Sequence, residues 1–460
     1  MLMMLDALPK LKDFLAPLKL NATREGMAIR LITAFVIHLG RMSASRAAGA
    51  ARSEPRHRAQ VTRSLSRKFW KGVEILSKLR DLVLILSAPR GTYLFIVDQT
   101  YCSQQGQRAE NTFRMGAKSS KKKSKKKSRK KSKSGYVLAQ RQCHCFVMGL
   151  LITPQGVRIP FVKYYYTKDY CKQKKLTYRR QTELAADMIR ELPLPAGTDV
   201  VVLGDTAFDA AAIQSACKDK DRQYVWIVPM NPERVLAGPK PRPKVWSLAS
   251  AFSADQFTPV RLHPGSGELA AQRRVSQYRV GPKAKCRTFH VHQERREVHS
   301  VGRVRLVFST KTRPQRGPTV DVQKILMTND QTRAVAKIVE LYDLRWQIEL
   351  FFKELKSTLG FHHYRFRQFD RVERWVEFAL AAFVYLEWYR ATQLRRRDLT
   401  QKQRRWWERM RTYGLCQALR HIAECNEIKL LAKRLRTPRG VRKVLKTFEN
   451  ACQKEYRIPT

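Results

Sequence analysis

Four residues in the last third of the chain combine groups that bind phosphate with one that binds a metal. Tyr342, Arg345, Glu349 and Lys356 place a phenol, a guanidinium, a carboxylate and an ammonium within fifteen residues of sequence. Guanidinium and ammonium groups hold phosphate oxygens, and a carboxylate is a ligand for hard divalent cations. Together they suit a site that binds a phosphodiester beside a metal ion.

An amphipathic helix is predicted to carry these four residues. The segment YDLRWQIELFFKELK contains no Gly or Pro and is rich in Leu, Glu and Lys, which favours a helix. At roughly 100° per residue, the four side chains fall on a stripe roughly 60° wide. The flank beside the stripe is apolar and is predicted to be buried. Its members are Leu344, Ile348, Phe351, Phe352, Leu355 and Leu359.

The spacing of the stripe is Tyr, two residues, Arg, three residues, Glu, six residues, Lys. It resembles the signature of the cut-and-paste insertion-sequence transposases of the DDE superfamily, in the group named for its Tyr-Arg-Glu-Lys motif. The resemblance implies an RNase H-like catalytic core and two further acidic residues upstream, each at a strand end. The alternative is an amphipathic helix of a basic protein that matches the motif by chance.

Two aspartates meet this expectation. Tyr93–Val97 and Thr198–Leu203 are apolar runs typical of buried central strands, and they are followed by Asp98 and Asp205. A carboxylate at a strand end is held by a rigid backbone while its side chain faces a cleft, although a lone turn or cap acid is also common. Asp209 competes with Asp205, but it is predicted to lie at the start of the next helix, where a capping acid is ordinary.

The resemblance assigns a role to each of these residues. Asp98 is expected to bridge two divalent ions, and Asp205 and Glu349 are each expected to complete one of the two sites. Two Mg²⁺ ions, for which Mn²⁺ can substitute, are the expected cofactors because the ligands are all oxygens. Contacts with the phosphates of the transposon end are expected from the rest of the stripe, Tyr342, Arg345 and Lys356. The implied reaction is metal-dependent cleavage at transposon ends and strand transfer into target DNA.

The composition points independently to nucleic acid. The chain has 91 Lys and Arg against 38 Asp and Glu, a formal charge of +53, and such an excess favours a polyanionic partner. Lys118–Lys133 holds eleven basic residues, five serines and no acid. This predicts a disordered loop at residues 117–135 that attaches to DNA backbone without reading sequence. An anionic membrane is the rival partner, but no run has the length of a spanning helix.

The cysteines and the start of the chain bear on the compartment. The nine cysteines are odd in number and scattered, which argues for reduced thiols in a cytoplasmic protein. The first residues lack the basic region and cleavage site of a secretory signal. With DNA as the partner, these features predict a bacterial cytoplasmic protein associated with the nucleoid.

The fold class is predicted to be α/β, with five regions. Residues 1–88 indicate an N-terminal helical DNA-binding region, although a plain helical bundle fits these residues as well. The RNase H-like core is predicted at residues 89–215 and again at 325–392. Between its two parts, residues 216–324 show short β-like runs with Pro and Gly, which indicates a β-rich insertion. Residues 393–460 are predicted to form a basic helical region, whose RRWWER segment could stack on DNA or form a seam between helices.

The insertion departs from the family pattern in one respect. No Trp lies between Ser247 and Trp346, where the resemblance implies an aromatic residue that stacks on a DNA base. Trp226 and Trp246 could replace it, although packing in a core explains either of them better.

Two other functions fit parts of this pattern. A transposon-derived protein that binds DNA but no longer cuts would keep the basic surfaces. An RNase H-like nuclease would keep the core fold but would lack the Tyr342–Lys356 signature. By the resemblance, the partner is double-stranded DNA, both the terminal inverted repeats and the target, and the assembly is a homodimer on paired DNA ends.

Overall fold

The structure is a computed structural model that describes residues 8–38, 40, 42–49, 58–87, 90–104, 109–115, 141–219, 222–262, 269–274, 287–312, 314, 321–439 and 441–442. The basic loop predicted at residues 117–135 lies outside these residues. The chain divides into two compact units. We call residues 84–352 and 365–373 the sheet unit, and residues 1–83, 353–364 and 374–460 the helical unit.

The secondary structure follows the alternation of apolar runs and amphipathic segments in the sequence. The α-helices are α1 Leu11–Leu15, α2 Ala22–Ile37, α3 Ala44–Gly49, α4 Arg58–Ser64, α5 Ile75–Leu84, α6 Lys168–Lys174, α7 Gln181–Arg190, α8 Ala211–Cys217, α9 Ala270–Arg274, α10 Val335–Asp343, α11 Gln347–Glu354, α12 Phe369–Leu394, α13 Gln401–Arg409 and α14 Thr412–Leu435. The strands are β1 Tyr93–Gln104, β2 Phe113–Met115, β3 Arg141–Ile152, β4 Arg158–Tyr164, β5 Val200–Leu203, β6 Val225–Pro229, β7 Thr258–Leu262, β8 Arg287–Val298, β9 Gly302–Thr310 and β10 Lys324–Thr328.

One mixed sheet organises the sheet unit. Its first part has the strand order β4-β3-β1-β5-β6, in which β3 runs antiparallel to β1 and β4, and β5 runs parallel to β1 and β6. The residues of β5 and the first five residues of β1 are all buried, as expected for central parallel strands covered on both faces. Three antiparallel strands followed by two parallel ones form the order of an RNase H-like core, so the predicted fold class is confirmed.

Strand β6 belongs to the core sheet and not to the insertion. Its residues were predicted to belong to the β-rich insertion, but β6 pairs with β5 as the fifth strand of the core. The physical reason is that Val225–Pro229 is mostly buried, as are the other parallel strands. The sheet then continues through β10, β9, β8 and β7 in antiparallel pairing.

Helix α12 organises the helical unit. It is buried on nearly all sides from Trp375 to Ala391, so other elements must surround it. Phe35 of α2 packs edge-on against Trp375 at 4.9 Å, and Trp70 packs against Phe378 at 4.9 Å. The helices near both ends of the chain, predicted as separate regions, therefore belong to one unit. Among the described helices, none combines the length and the apolar character that crossing a membrane requires.

Candidate active site

The register of β1 and β5 aligns the two candidate aspartates. Ile96 lies opposite Leu203 in the parallel pairing, and Asp98 and Asp205 each follow two residues later. Both carboxylates therefore lie just beyond the edge at which this pairing stops. The prediction that Asp98 ends its strand is wrong, because β1 remains paired with β3 as far as Gln104.

Asp205 and Asp209 lie in different environments. Asp205 is half-buried and caps a 3₁₀ turn at Thr206–Phe208, where its Oδ1 accepts a hydrogen bond of 2.8 Å from the Ala207 N–H. The Asp209 side chain is 0% exposed and receives Arg234 through two hydrogen bonds, of 2.8 and 3.1 Å. Asp209 is not the helix cap that was predicted, since Ala210 holds that position. Its carboxylate has a structural partner, which leaves Asp205 as the candidate ligand.

The segment that carries Glu349 is not one regular helix. A 3₁₀ turn at Leu344–Trp346 separates α10 from α11, and a π-helical turn at Leu355–Leu359 follows. The predicted single α-helix is therefore wrong in detail. Its apolar flank is nevertheless confirmed, because all six predicted residues are 9% exposed or less.

Lys356 lies in the π-helical turn, which belongs to the helical unit. This turn ends at Gly360, whose φ of 66° suits glycine. The Thr358 carbonyl accepts a hydrogen bond of 2.5 Å from the Gly40 N–H. Its hydrogen-bond partner therefore lies outside this helical segment. The single stripe predicted for all four residues consequently does not continue as a regular α-helix to Lys356.

Arg345 brings two of the predicted carboxylates together. Its Nη2 lies 2.6 Å from Oε1 of Glu349, and its Nη1 lies 3.6 Å from Oδ2 of Asp98. The Arg345 and Asp98 side chains are only 16% and 13% exposed. The guanidinium therefore bridges a residue of the central strand and a residue of α11.

Burial, together with nearby negative charge, perturbs the pKa of the Asp98 carboxyl. Burial raises the pKa of its carboxyl to about 6, and the nearby charges of Asp205 and Glu349 act in the same direction. The Gln99 N–H, which donates a hydrogen bond of 2.7 Å, and Arg345 act in the opposite direction. The charges of Asp205 and Glu349 thus reach Asp98, whose burial is not offset by the positive charge of Arg345.

The donor set fits a hard divalent cation, although no metal cage is preformed. In the part of the chain that the structure describes, no three His, Cys, Asp or Glu side chains surround a common metal position. Arg345 instead stands between Asp98 and Glu349. The candidate ligands are all carboxylates, which Mg²⁺ prefers, and their mutual repulsion is what a bound cation would relieve.

Arg345 also lines a cavity that contains several other cationic side chains. This cavity of about 380 Å³ lies between strands β8, β9 and β10 and the segment at the end of α10. Its lining includes the cations Arg287, Lys311, Lys324 and Arg345. Partial burial lowers the pKa of Lys324, and the charges of Arg345 and Lys311 lower it further. Asp343 also lines the cavity and pairs with Arg287, so the lining as a whole carries a net positive charge, which is suited to phosphate.

Trp346 is a residue of this cavity that the sequence reasoning missed. Its side chain is 56% exposed, whereas Trp226, considered as a stacking residue, is 1% exposed and belongs to the core. Tyr342 also lines the cavity, and Lys324 Nζ lies 5.1 Å from the centre of its ring. The available signal was the position of Trp346 directly after Arg345 of the motif.

The Asp98→Asn variant is expected to stabilise the metal-free protein at neutral pH. Because the folded state raises the pKa of Asp98 from 3.8 to about 6, this residue's contribution to stability is complete below about pH 4 and is lost as pH rises through about 6. Removing the charge should increase the free energy of unfolding at about pH 8 by up to ~3 kcal/mol. Urea titrations in EDTA at about pH 4 and at about pH 8 measure this difference. The Glu191→Gln variant, which changes an exposed acid, is the control. An equal change at the two pH values would contradict the expectation.

Two family models match the chain. Residues 13–251 match the family model described as DDE superfamily endonuclease, and residues 177–385 match the one described as Transposase DDE domain. The first match covers more than half of the chain, and the chain belongs to the DDE superfamily. It is a DNA transposase, an enzyme that cleaves DNA.

No curated protein matches the chain. Among solved structures, it is similar to the piggyBac transposase synaptic complex with hairpin DNA, at 10% identity and a TM-score of 0.43, over 97% of this chain and 82% of the other. A similarity at this level carries no conclusion about this chain.

Proposed function

We propose that this transposase performs cut-and-paste transposition as a member of the Tyr-Arg-Glu-Lys group, with Asp98, Asp205 and Glu349 as its catalytic carboxylates. The observation that supports this most is the Arg345 bridge, through which two of the three carboxylates meet. The register of β1 and β5, which aligns Asp205 with Asp98, supports Asp205 as the third carboxylate. These residues lie far apart in sequence, and a chance motif match would not bring them together.

The carboxylates would hold two divalent ions, Mg²⁺ by preference, which when bound activate the attacking oxygen and stabilise the leaving oxygen. Asp98 lies in β1, and Asp205 follows the neighbouring strand β5 by two residues, so both backbones are held in place by the sheet. Glu349 is half-buried in the first turn of α11. The protein's own contribution is thus to hold three negative groups together in a partly desolvated place.

The cationic cavity would bind the DNA strand next to these carboxylates. Arg345 belongs to both groups, so it can exchange a carboxylate partner for a phosphate when cations occupy the carboxylates. Tyr342 and Trp346 supply aromatic surface in the same cavity, which suits an unstacked part of the strand. Lys356, the last residue of the motif, is proposed to contact a phosphate of the transposon end.

A strand-transfer assay tests this function. Purified protein, Mg²⁺ and a labelled duplex ending in the element's own repeats should give cut ends, and these ends should join to a target plasmid. A protein that binds the repeats without cutting them would instead be the catalytically silent form. Cleavage of any duplex without joining would indicate an RNase H-like nuclease.

We further propose that two copies act together on paired DNA ends, in a bacterial cytoplasm where DNA retains the protein at the nucleoid. Coordinated excision needs both ends in one complex, so the protein should be dimeric when it is bound to them. Light scattering of the complex at saturating protein measures its mass. One chain per DNA end, with no pairing of ends, would contradict the proposal.

A further inference from the structure

Helix α13 lies beyond the residues that either family model matches. It begins with a capping box, in which Thr400 Oγ1 accepts a hydrogen bond from the Gln403 N–H and Gln403 Oε1 accepts one from the Thr400 N–H. Such a cap stabilises a helix start. None of the nine residues of α13 is buried, so part of the surface of this helix is not used for packing within the protein.

One face of α13 is anchored within the helical unit. Arg404 donates hydrogen bonds to the carbonyls of Leu394 and Arg396, at 2.9 and 3.3 Å. The Trp407 ring lies 6.0 Å from the Tyr389 ring of α12. Because the Arg404 contacts satisfy carbonyls at the end of α12, they hold α13 in a defined orientation.

The other face carries charge and one exposed indole. Lys402, Arg405, Trp406 and Arg409 are spaced at i, i+3, i+4 and i+7, which places them on one stripe. All four are exposed, and the Trp406 side chain is 47% exposed. The Trp406 ring packs edge-on against Trp407 at 4.8 Å, so it is supported by the anchored face. We call these four residues the α13 stripe.

We infer that the α13 stripe is a second DNA-binding surface, which contacts the sugar–phosphate backbone of a duplex independently of sequence. Three cations and no acid on one stripe match a row of phosphates, and Arg in particular recognises phosphate oxygens. The indole offers apolar contact to the sugars between the phosphates. A second copy of the chain fits less well, because a self-complementary contact would set the same cations against each other.

This inference relies on the proposed function only for the nature of the ligand. It concerns a surface separate from the carboxylates, and it requires neither metal nor a terminal repeat. Binding to a duplex without the repeats, in EDTA, therefore tests it apart from catalysis. A failure of the strand-transfer assay would leave this measurement unaffected.

The test compares two triple variants of the full chain that remove equal charge. The stripe variant is Lys402→Gln, Arg405→Gln and Arg409→Gln. The control variant changes exposed lysines of the sheet unit, Lys172→Gln, Lys175→Gln and Lys218→Gln. If each stripe cation contacts one phosphate, the slope of log affinity against log salt should fall by about 2.7 in the stripe variant. The control should change the slope far less.

A third variant, Trp406→Ala, separates the indole from the charges. This variant should weaken binding severalfold. The salt slope should stay unchanged, because the neutral indole releases no counterions when it contacts DNA. Circular dichroism should show the same helix content in all variants, since the substituted side chains are exposed. Equal slopes for the stripe and control variants would overturn the inference. So would a stripe variant that alters only the mass of the DNA-free protein, which would indicate self-association, or only its attachment to anionic vesicles.

Discussion

Cleavage should be abolished by each of three isosteric changes, Asp98→Asn, Asp205→Asn and Glu349→Gln, while binding to DNA that carries the terminal repeats stays nearly unchanged. Each change removes one carboxylate from a group whose charges influence one another, and none removes a residue of the apolar core. Loss of several kcal/mol of transition-state stabilisation corresponds to about a 10³-fold or larger decrease in rate. Single-turnover cleavage at saturating DNA measures the rate, and gel-shift titration measures binding.

The matched control for these three variants is Glu191→Gln. Glu191 is an acid of the same unit that forms an exposed ion pair with Lys163, so its loss should leave cleavage near the wild-type rate. If any one of the three variants cleaved at a rate close to that of this control, the residue concerned would not belong to the catalytic group.

The Asp209→Asn variant should act on stability and not on chemistry. Asp209 is fully buried against Arg234, with hydrogen bonds to both carboxylate oxygens. Removing one partner of a buried pair leaves the other charge unpaired, and the free energy of unfolding should fall by about 3–5 kcal/mol. Urea unfolding measures this loss, and cleavage per folded molecule should remain within a fewfold of the wild type.

Two comparisons sharpen this expectation. The double variant Asp209→Asn with Arg234→Gln removes both charges and should recover part of the stability that the single variant loses. If Asp209→Asn instead abolished cleavage without destabilising the fold, and Asp205→Asn remained active, the choice between the two aspartates would be reversed.

Residue types and periodicity predicted much of this molecule because they report on burial. The apolar runs at Tyr93–Val97 and Thr198–Leu203 predicted two central strands, and the pairing of these strands aligns Asp98 with Asp205. The apolar flank of the Glu349 segment was also predicted correctly. In each case the apolar side chains of a local segment have only one favourable arrangement, in which they are buried.

Long-range contacts were not predictable in the same way. The apolar run of β6 fits a hairpin in the insertion as well as a parallel core strand, and only its pairing with β5 decides between them. The 3₁₀ and π-helical turns around α11 leave no clear mark in helical periodicity. The Arg345 bridge depends on where β1 lies relative to this segment, which spacing along the chain does not encode.

The pairing of β6 with β10 has a consequence for how such enzymes diversify. Leu326 lies opposite Pro229, and the Met230 N–H donates to the Ile325 carbonyl at 2.9 Å, so the chain leaves the core and re-enters it at adjacent positions. Residues added or removed between these two points need not move Asp98, Asp205 or Glu349. Evolution can therefore lengthen, shorten or exchange the intervening segment, and with it the surface presented to a substrate, while the cleavage chemistry is inherited unchanged.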